Sequence, residues 1–295
     1  MTDKKEDNLK LFEIEAKRIL REEAKNIRNN TKYKNSNRIK RKTNTFLKNN
    51  NLVIVPSDKS NRIVISNENS ITERTGTENL LKDTKIYSLR NKSKASSIEN
   101  QANRLVRGKC SKLQRINHEK LLTSGSHPAA FQINIKDHKE KVNGFHPLRP
   151  IASTINTPTQ KVDWLASILL NQLVKFVPSH LDSTNALIEC LRNNNDKLNN
   201  TDNCVFISLD VINLYPSIPI EDGLKVVEDF ARQYWSSIDN YGLNVEDLID
   251  FLKFIAYNYE ITYNQKTYLQ IEGCPMGTHI SPPFSIIYIY IIFLS

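Results

Sequence analysis

The stretch Phe206-Ile-Ser-Leu-Asp-Val-Ile-Asn-Leu-Tyr-Pro-Ser-Ile-Pro219 constrains this chain more than any other. The apolar run from Cys204 to Leu209 reads as a buried strand. It stops at a single carboxylate, Asp210. Five residues later stands Tyr215, and a Pro-Ser-Ile-Pro turn then opens a helix. Two roles are open to a carboxylate placed there. It can close an Asx turn at the strand end, or it can hold a metal ion, because hard cations take oxygen ligands.

Charge is distributed unevenly. Residues 1–60 hold sixteen Lys/Arg and eight Asp/Glu, so that segment carries nearly all of the net +9. From Lys25 to Lys48 there are nine basic residues and no acidic one. A run of this kind is either a solvated, disordered tail or the footprint of a phosphate backbone. A length of 295 residues with 39% hydrophobic content suggests two domains or one large one.

Cys110, Cys190, Cys204 and Cys274 are widely separated, with neither a CxxC pair nor zinc spacing among them. His138 and His146 flank one loop without a third ligand. The charged N-terminus has no apolar core, so a secretory signal is not expected. The widely spaced cysteines fit a reducing compartment, and an intracellular, nuclear location is the expectation. Phe284–Leu294 is apolar but short of the roughly 20 residues that a bilayer requires. A buried helix is expected there, with no membrane partner.

Residues 3–25 suggest a weak amphipathic helix and residues 26–50 an Asn- and Lys-rich linker or mobile arm. Leu52–Val55 and Ile63–Ile65 flank a polar turn with Asp58, Lys59 and Arg62, which predicts a hairpin. Lys59 and Arg62 suit phosphate contact as well as they suit a solvated tip. Helices are expected at 76–82, 95–107 and 112–122. Ala130–Ile135 and Pro147–Ala152 predict a second hairpin around a basic loop with Lys136 and Lys139. Arg149 lies there between Leu148 and Pro150, and a semi-buried Arg needs either a protein carboxylate or a ligand phosphate. Further helices are expected from Thr157, with Pro158 in the first turn, at 183–193, at 221–235 and at 245–257. A hairpin is expected over 259–271. Glu272–Pro283 is rich in Gly and Pro and leads into an apolar helix in which the sequence stops, as in a truncated product.

Four of these stretches, in order, resemble the polymerase domain of Penelope-like retroelement reverse transcriptases, relatives of the telomerase catalytic subunit. Ser57-Asp-Lys-Ser-Asn61 resembles that family's Asp-Lys-Gly-Asn segment, with Ser60 where Gly is usual. Ile135-Lys-Asp-His-Lys139 with Pro147-Leu-Arg-Pro-Ile151 resembles two fingers strands. The stretch around Asp210 resembles motif A, and Gly273-Cys-Pro-Met-Gly-Thr-His-Ile-Ser-Pro282 resembles motif B. The resemblance spans roughly residues 50–295.

It implies an α+β, helix-rich chain with right-hand polymerase-like fingers and an incomplete palm. Residues 1–50 would be a basic arm, 51–180 a fingers-like region and 181–295 a partial palm. Asp210 and the Val211 carbonyl would be ligands of Mg²⁺, with Asp210 catalytic, in a chemistry that uses two ions about 3.5–4 Å apart. Lys136 and Arg149 would neutralise a triphosphate, Tyr215 would lie under the incoming sugar, and Gly277 would let backbone approach the base pair. Lys59, Arg62 and Lys139 would contact nucleic acid. The partners would be an RNA template, a DNA primer and deoxynucleoside triphosphates. The family's Tyr-x-Asp-Asp motif is not found, nor is any Asp-Asp pair. The chain as given is therefore expected to be inactive alone, and strand 204–209 to expose an edge. A non-catalytic nucleic-acid-binding fragment and a pseudogene product are the alternatives.

Overall fold

The computed structural model describes residue 18 and residues 34–60, 62–67, 81–141, 146–194, 207–211 and 214–294. They fall into two units. One holds the described residues of 1–55 and 62–74, the other those of 56–61 and 75–295.

In the first unit, helix α1 (Lys34–Asn49) replaces the expected linker or mobile arm. The reason is an apolar spacing hidden among the charges. Ile39, Phe46 and Leu47 recur at helical intervals, and Leu47 is buried. The expected helix at 3–25 lies outside the described residues, Arg18 excepted. Strands β1 (Leu52–Pro56) and β2 (Ile63–Asn67) form the predicted hairpin as a two-stranded sheet.

The second unit packs helices around one large core and a five-stranded sheet around a smaller one. The sheet order is β3-β7-β6-β4-β5, built from β3 (Tyr87–Arg90), β4 (Ala129–Ile135), β5 (Leu148–Ser153), β6 (Glu260–Tyr263) and β7 (Lys266–Gln270). Two hairpins, β4/β5 and β6/β7, are joined by a short parallel pairing of Ala129 with Ile261 and Ala130 with Thr262. Asn264 and Gln265 both have positive φ, 47° and 62°, which suits the tight β6/β7 turn. Because β4 and β6 are far apart in the chain, this junction is not visible as local pattern.

The helices are α2 (Ala95–Lys109), α3 (Gln160–Leu173), α4 (Thr184–Asn193), α5 (Ile220–Tyr234), α6 (Val245–Tyr257) and α7 (Ser281–Leu294). In α3, Val162, Leu165, Ala166, Leu169, Leu170 and Leu173 form one buried stripe. In α5, Ile220, Leu224, Val227, Phe230 and Ala231 do the same. These stripes are why the sequence folds as helix here. Helix α3 starts at Gln160, so Pro158 lies just ahead of it rather than in its first turn. Ser183 caps α4 by accepting Ala186 N–H at 3.2 Å. Among the described residues no helix is long and apolar enough to cross a membrane.

The expected helix over 112–122 is replaced by two 3₁₀ turns, Cys110–Lys112 and His118–Leu121. Arg115 between them has φ 65°, and Gln114 N–H donates outward to Tyr241 O at 2.9 Å. The extended backbone at Leu113, with ψ 132°, and the left-handed Arg115 interrupt the helix, and the Tyr241 bond holds that break in place. Of the expected helix at 76–82, residues 76–80 lie outside the described residues.

Asp247 shows how one buried carboxylate ties three elements together. It completes a capping box with Asn244 at the start of α6 and pairs with Lys109 at 3.0 Å and Lys112 at 2.8 Å. Burial opposes its charge, but hydrogen bonds from Lys112, the Asn244 backbone and Lys109 outweigh burial and hold the carboxyl below its ordinary range. The sign follows from that depression. Its stabilisation is present above the unfolded value of about 3.9 and is lost as pH falls through the lower folded value. Asp247→Asn is expected to cost about 2–3 kcal/mol at neutral pH, by removal of charged hydrogen-bond partners. Urea denaturation from neutral to strongly acid pH should show that difference shrink.

Candidate nucleotide and nucleic-acid site

The predicted site residues come from four separated stretches. Arg149 is carried by β5, opposite Asn134 on β4. The partner required for Arg149 is a protein carboxylate. Its Nε lies 3.2 Å from Asp58 Oδ1, on the tip of the β1/β2 hairpin. The Asp58 side chain is only 2% exposed, whereas that of Arg149 is 45% exposed. The tip is anchored on β4: Asp58 N–H donates to Ile135 O at 2.9 Å, and Ser57 forms a parallel bridge with Ile135. Ser60 Oγ adds bonds to Ser57 Oγ at 2.7 Å and Asp137 Oδ2 at 2.5 Å. Lys136 follows β4 directly, half-buried, with its N–H on Pro147 O at 2.8 Å. Lys139 and Lys59 are exposed on the same loop and tip. Arg62 is exposed and belongs to the other unit.

Tyr215 lies in a one-turn helix, Leu214–Ser217, and is half-buried. Its carbonyl accepts Cys274 N–H at 2.7 Å. Burial pushes the Tyr215 phenol up and Cys274 adds to this, while a Ser285 hydrogen bond and the Arg149 charge act the other way. Gly273 sits so close that a Cβ would meet Pro216 Cα at 2.7 Å. Gly277 lies against the other side of the site. Its added Cβ would fall 2.0 Å from Ala152 O, at the end of β5, and Thr154 Oγ1 donates to Gly277 O at 3.2 Å. The loop from Glu272 to Ile280 therefore bridges the Tyr215 turn and the strand that carries Arg149.

That loop is held by groups that the sequence reading missed. Tyr259 Oη donates to Met276 O at 2.7 Å. Gln270 Nε2 donates to Glu272 O at 3.0 Å and Gly273 O at 2.9 Å. Glu272 Oε1 accepts Ile220 N–H at 2.8 Å, at the start of α5. Thr278 and Ser281 hydroxyls share a 2.6 Å bond, and each also reaches Pro275 O. Burial pushes the Cys274 thiol up to about 12. Asp163, fully buried in α3, accepts His279 N–H at 2.9 Å and Ile280 N–H at 3.0 Å, and lies 2.7 Å from His279 Nδ1. One signal could have found it. Asp163, Ala166, Leu170 and Leu173 lie on one helical stripe, so a carboxylate was placed in the buried face.

Asp210 stands apart. Residues 207–211 run without a ladder, and Ile207, Leu209 and Val211 are 77%, 79% and 46% exposed. The expected strand is therefore not formed over its described part; Cys204–Phe206 lie outside the described residues. No described strand lies alongside to take its hydrogen bonds. Asp210 is exposed and, among the described residues, has no hydrogen-bond or ion-pair partner. No group of three or more His, Cys, Asp or Glu gathers among the described residues. They do not by themselves fit a two-ion magnesium site.

The arrangement joins a partly exposed arginine and a half-buried phenol through one hydrogen-bonded loop, which Gly277 seats against Ala152. It can bind an anion beside a flat, partly polar group. No protein-family model matches the chain, and no curated protein matches it.

Proposed function

We propose that this chain provides the fingers and part of the palm of an RNA-directed DNA polymerase of the Penelope-like class, working on an RNA template, a DNA primer and deoxynucleoside triphosphates. One observation carries the reading. Arg149, Tyr215 and Gly277, from three separate stretches, are linked through Ala152, Thr154 and Cys274. In this reading Arg149 and Lys136 take the triphosphate, Tyr215 lies under the sugar, and Gly277 brings backbone to the base pair. Lys59, Lys139 and Arg62 meet nucleic-acid phosphates.

Mg²⁺ enters as a further part of the proposal. Asp210 and the Val211 carbonyl supply the oxygen donors that Mg²⁺ takes. A second carboxylate has to come from outside the described residues. Binding without extension is the expected behaviour of the 295-residue chain.

Fluorescence anisotropy with an RNA–DNA hybrid tests the binding, and photo-crosslinking of a matched nucleoside triphosphate tests the site. Hybrid affinity is expected to fall steeply with salt, with a slope of roughly −0.7 to −0.9 per phosphate neutralised. Arg149→Ala is expected to remove the nucleotide crosslink and leave hybrid affinity within about twofold. A crosslink indifferent to Arg149 would sink the reading. A primer extended by the chain alone would overturn the expectation that Asp210 lacks its partner.

The second reading is a nucleic-acid-binding protein without catalysis. Helix α1 favours it, because its basic residues have no acidic neighbour in the helix. Salt-dependent hybrid binding with no nucleotide crosslink would select it.

A further inference from the structure

The ion pair between Asp58 and Arg149 is buried on one side only. The carboxylate is almost fully enclosed, while nearly half of the Arg149 side-chain surface remains exposed. The two residues come from hairpins far apart in sequence, and the Asp58 tip is fastened to β4 by the Asp58–Ile135 hydrogen bond and the Ser57–Ile135 bridge. Ile135 neighbours Asn134, which faces Arg149 across the β4/β5 ladder. The anchor and the guanidinium therefore share one end of one hairpin. Asp58 Oδ2 is buried without a hydrogen-bond partner among the described residues. A carboxylate left in that state is not an economical stabiliser of a fold, since a buried ion pair often contributes no net stability.

We infer that Asp58 is a positioning residue: from beneath the surface it holds the Arg149 guanidinium in place to receive the polyphosphate of a nucleotide. This rests on the nucleotide reading above. A free arginine gives up rotamer freedom when it binds, and a fixed one surrenders less. Asp58 is too deeply buried to compete with the ligand for the open face. The same tip carries Lys59, which is exposed, so docking the tip delivers a second cation to this end of the hairpin.

The test is calorimetric titration of the full chain with inorganic tripolyphosphate in magnesium buffer. The proteins are wild type, Asp58→Asn, Arg149→Ala and the double variant, with denaturation midpoints recorded for each. Arg149→Ala is expected to weaken binding about tenfold or more, as for a lost charged hydrogen bond. Asp58→Asn is expected to weaken it about three- to tenfold, and the double variant no more than Arg149→Ala alone, the mark of two residues acting as one. Unchanged or tighter binding by Asp58→Asn, with Arg149→Ala weakened, overturns the positioning role and leaves the nucleotide site standing. Wild-type protein that ignores tripolyphosphate, or Arg149→Ala that binds as wild type, overturns both. A measurement without variants covers the case in which Asp58→Asn fails to fold. The Arg149 Nε–H resonance of the unliganded wild type is expected to exchange slowly with water. Fast exchange there overturns the proposal.

Discussion

Gly277→Ala is expected to lower stability by about 3–4 kcal/mol, among the largest single effects in the molecule. Two causes add. Gly277 has φ +93°, in the half of backbone space that L side chains rarely adopt. The new methyl would also fall 2.0 Å from Ala152 O, a backbone atom inside the β4/β5 ladder that cannot rotate away. Relief requires the loop to lift from β5, which breaks the Thr154–Gly277 hydrogen bond and moves the loop that connects Tyr215 to the Arg149 strand. Gly125 is the natural control. Its φ is +67°, but an added Cβ meets nothing within 4 Å. Gly125→Ala should therefore show the backbone effect alone, about 1–2 kcal/mol. Urea denaturation of both variants separates the two causes. Equal losses would show that contact with Ala152 is not what requires glycine at 277.

Asp163→Ala is expected to cost about 3 kcal/mol, because it leaves the His279 and Ile280 backbone N–H groups at the entrance to α7 without their acceptor. The cost has a pH signature. Burial raises the Asp163 carboxyl above its ordinary range, outweighing hydrogen bonds from the His279 backbone, the His279 ring and Ile280. A raised folded value means that the folded protein holds the proton more tightly than the unfolded chain. The proton-linked part of the Asp163 contribution is then fully present below about 3.9 and is lost as pH rises through the raised value. The gap between wild type and Asp163→Ala should be widest in acid and narrow as pH rises. A gap that widens with pH would reverse the assignment. His279, half exposed, can turn to water in the variant, so the backbone donors carry the loss.

Much of the fold is legible in local pattern. Helices α3, α5 and α6 follow from apolar stripes at helical spacing, and the three hairpins from alternating runs around turn residues. What pattern hides is competition between partners. The charged run of α1 conceals a stripe of Ile39, Phe46 and Leu47. The 112–122 segment has helical composition, yet Gln114 is drawn to Tyr241. The apolar 204–209 run has strand composition, yet its described part finds no neighbour.

The same division holds for the site. The apolar flanks of Arg149 suggest a semi-buried arginine, but its side chain is 45% exposed, and the charge whose burial demands a partner is that of Asp58. That these two meet, about ninety residues apart, depends on the hairpin tip docking on Ile135. Gly277 announces itself within a Gly- and Pro-rich loop, but the atom that forbids a side chain there is Ala152 O. By itself the sequence determined which residues carry charge, which stretches turn and where helices find an apolar face, because these follow from chemistry within a few residues. The tertiary structure alone decided which carboxylate meets which cation and which loop rests on which strand. Those choices depend on burial, and burial is a property of the packed chain.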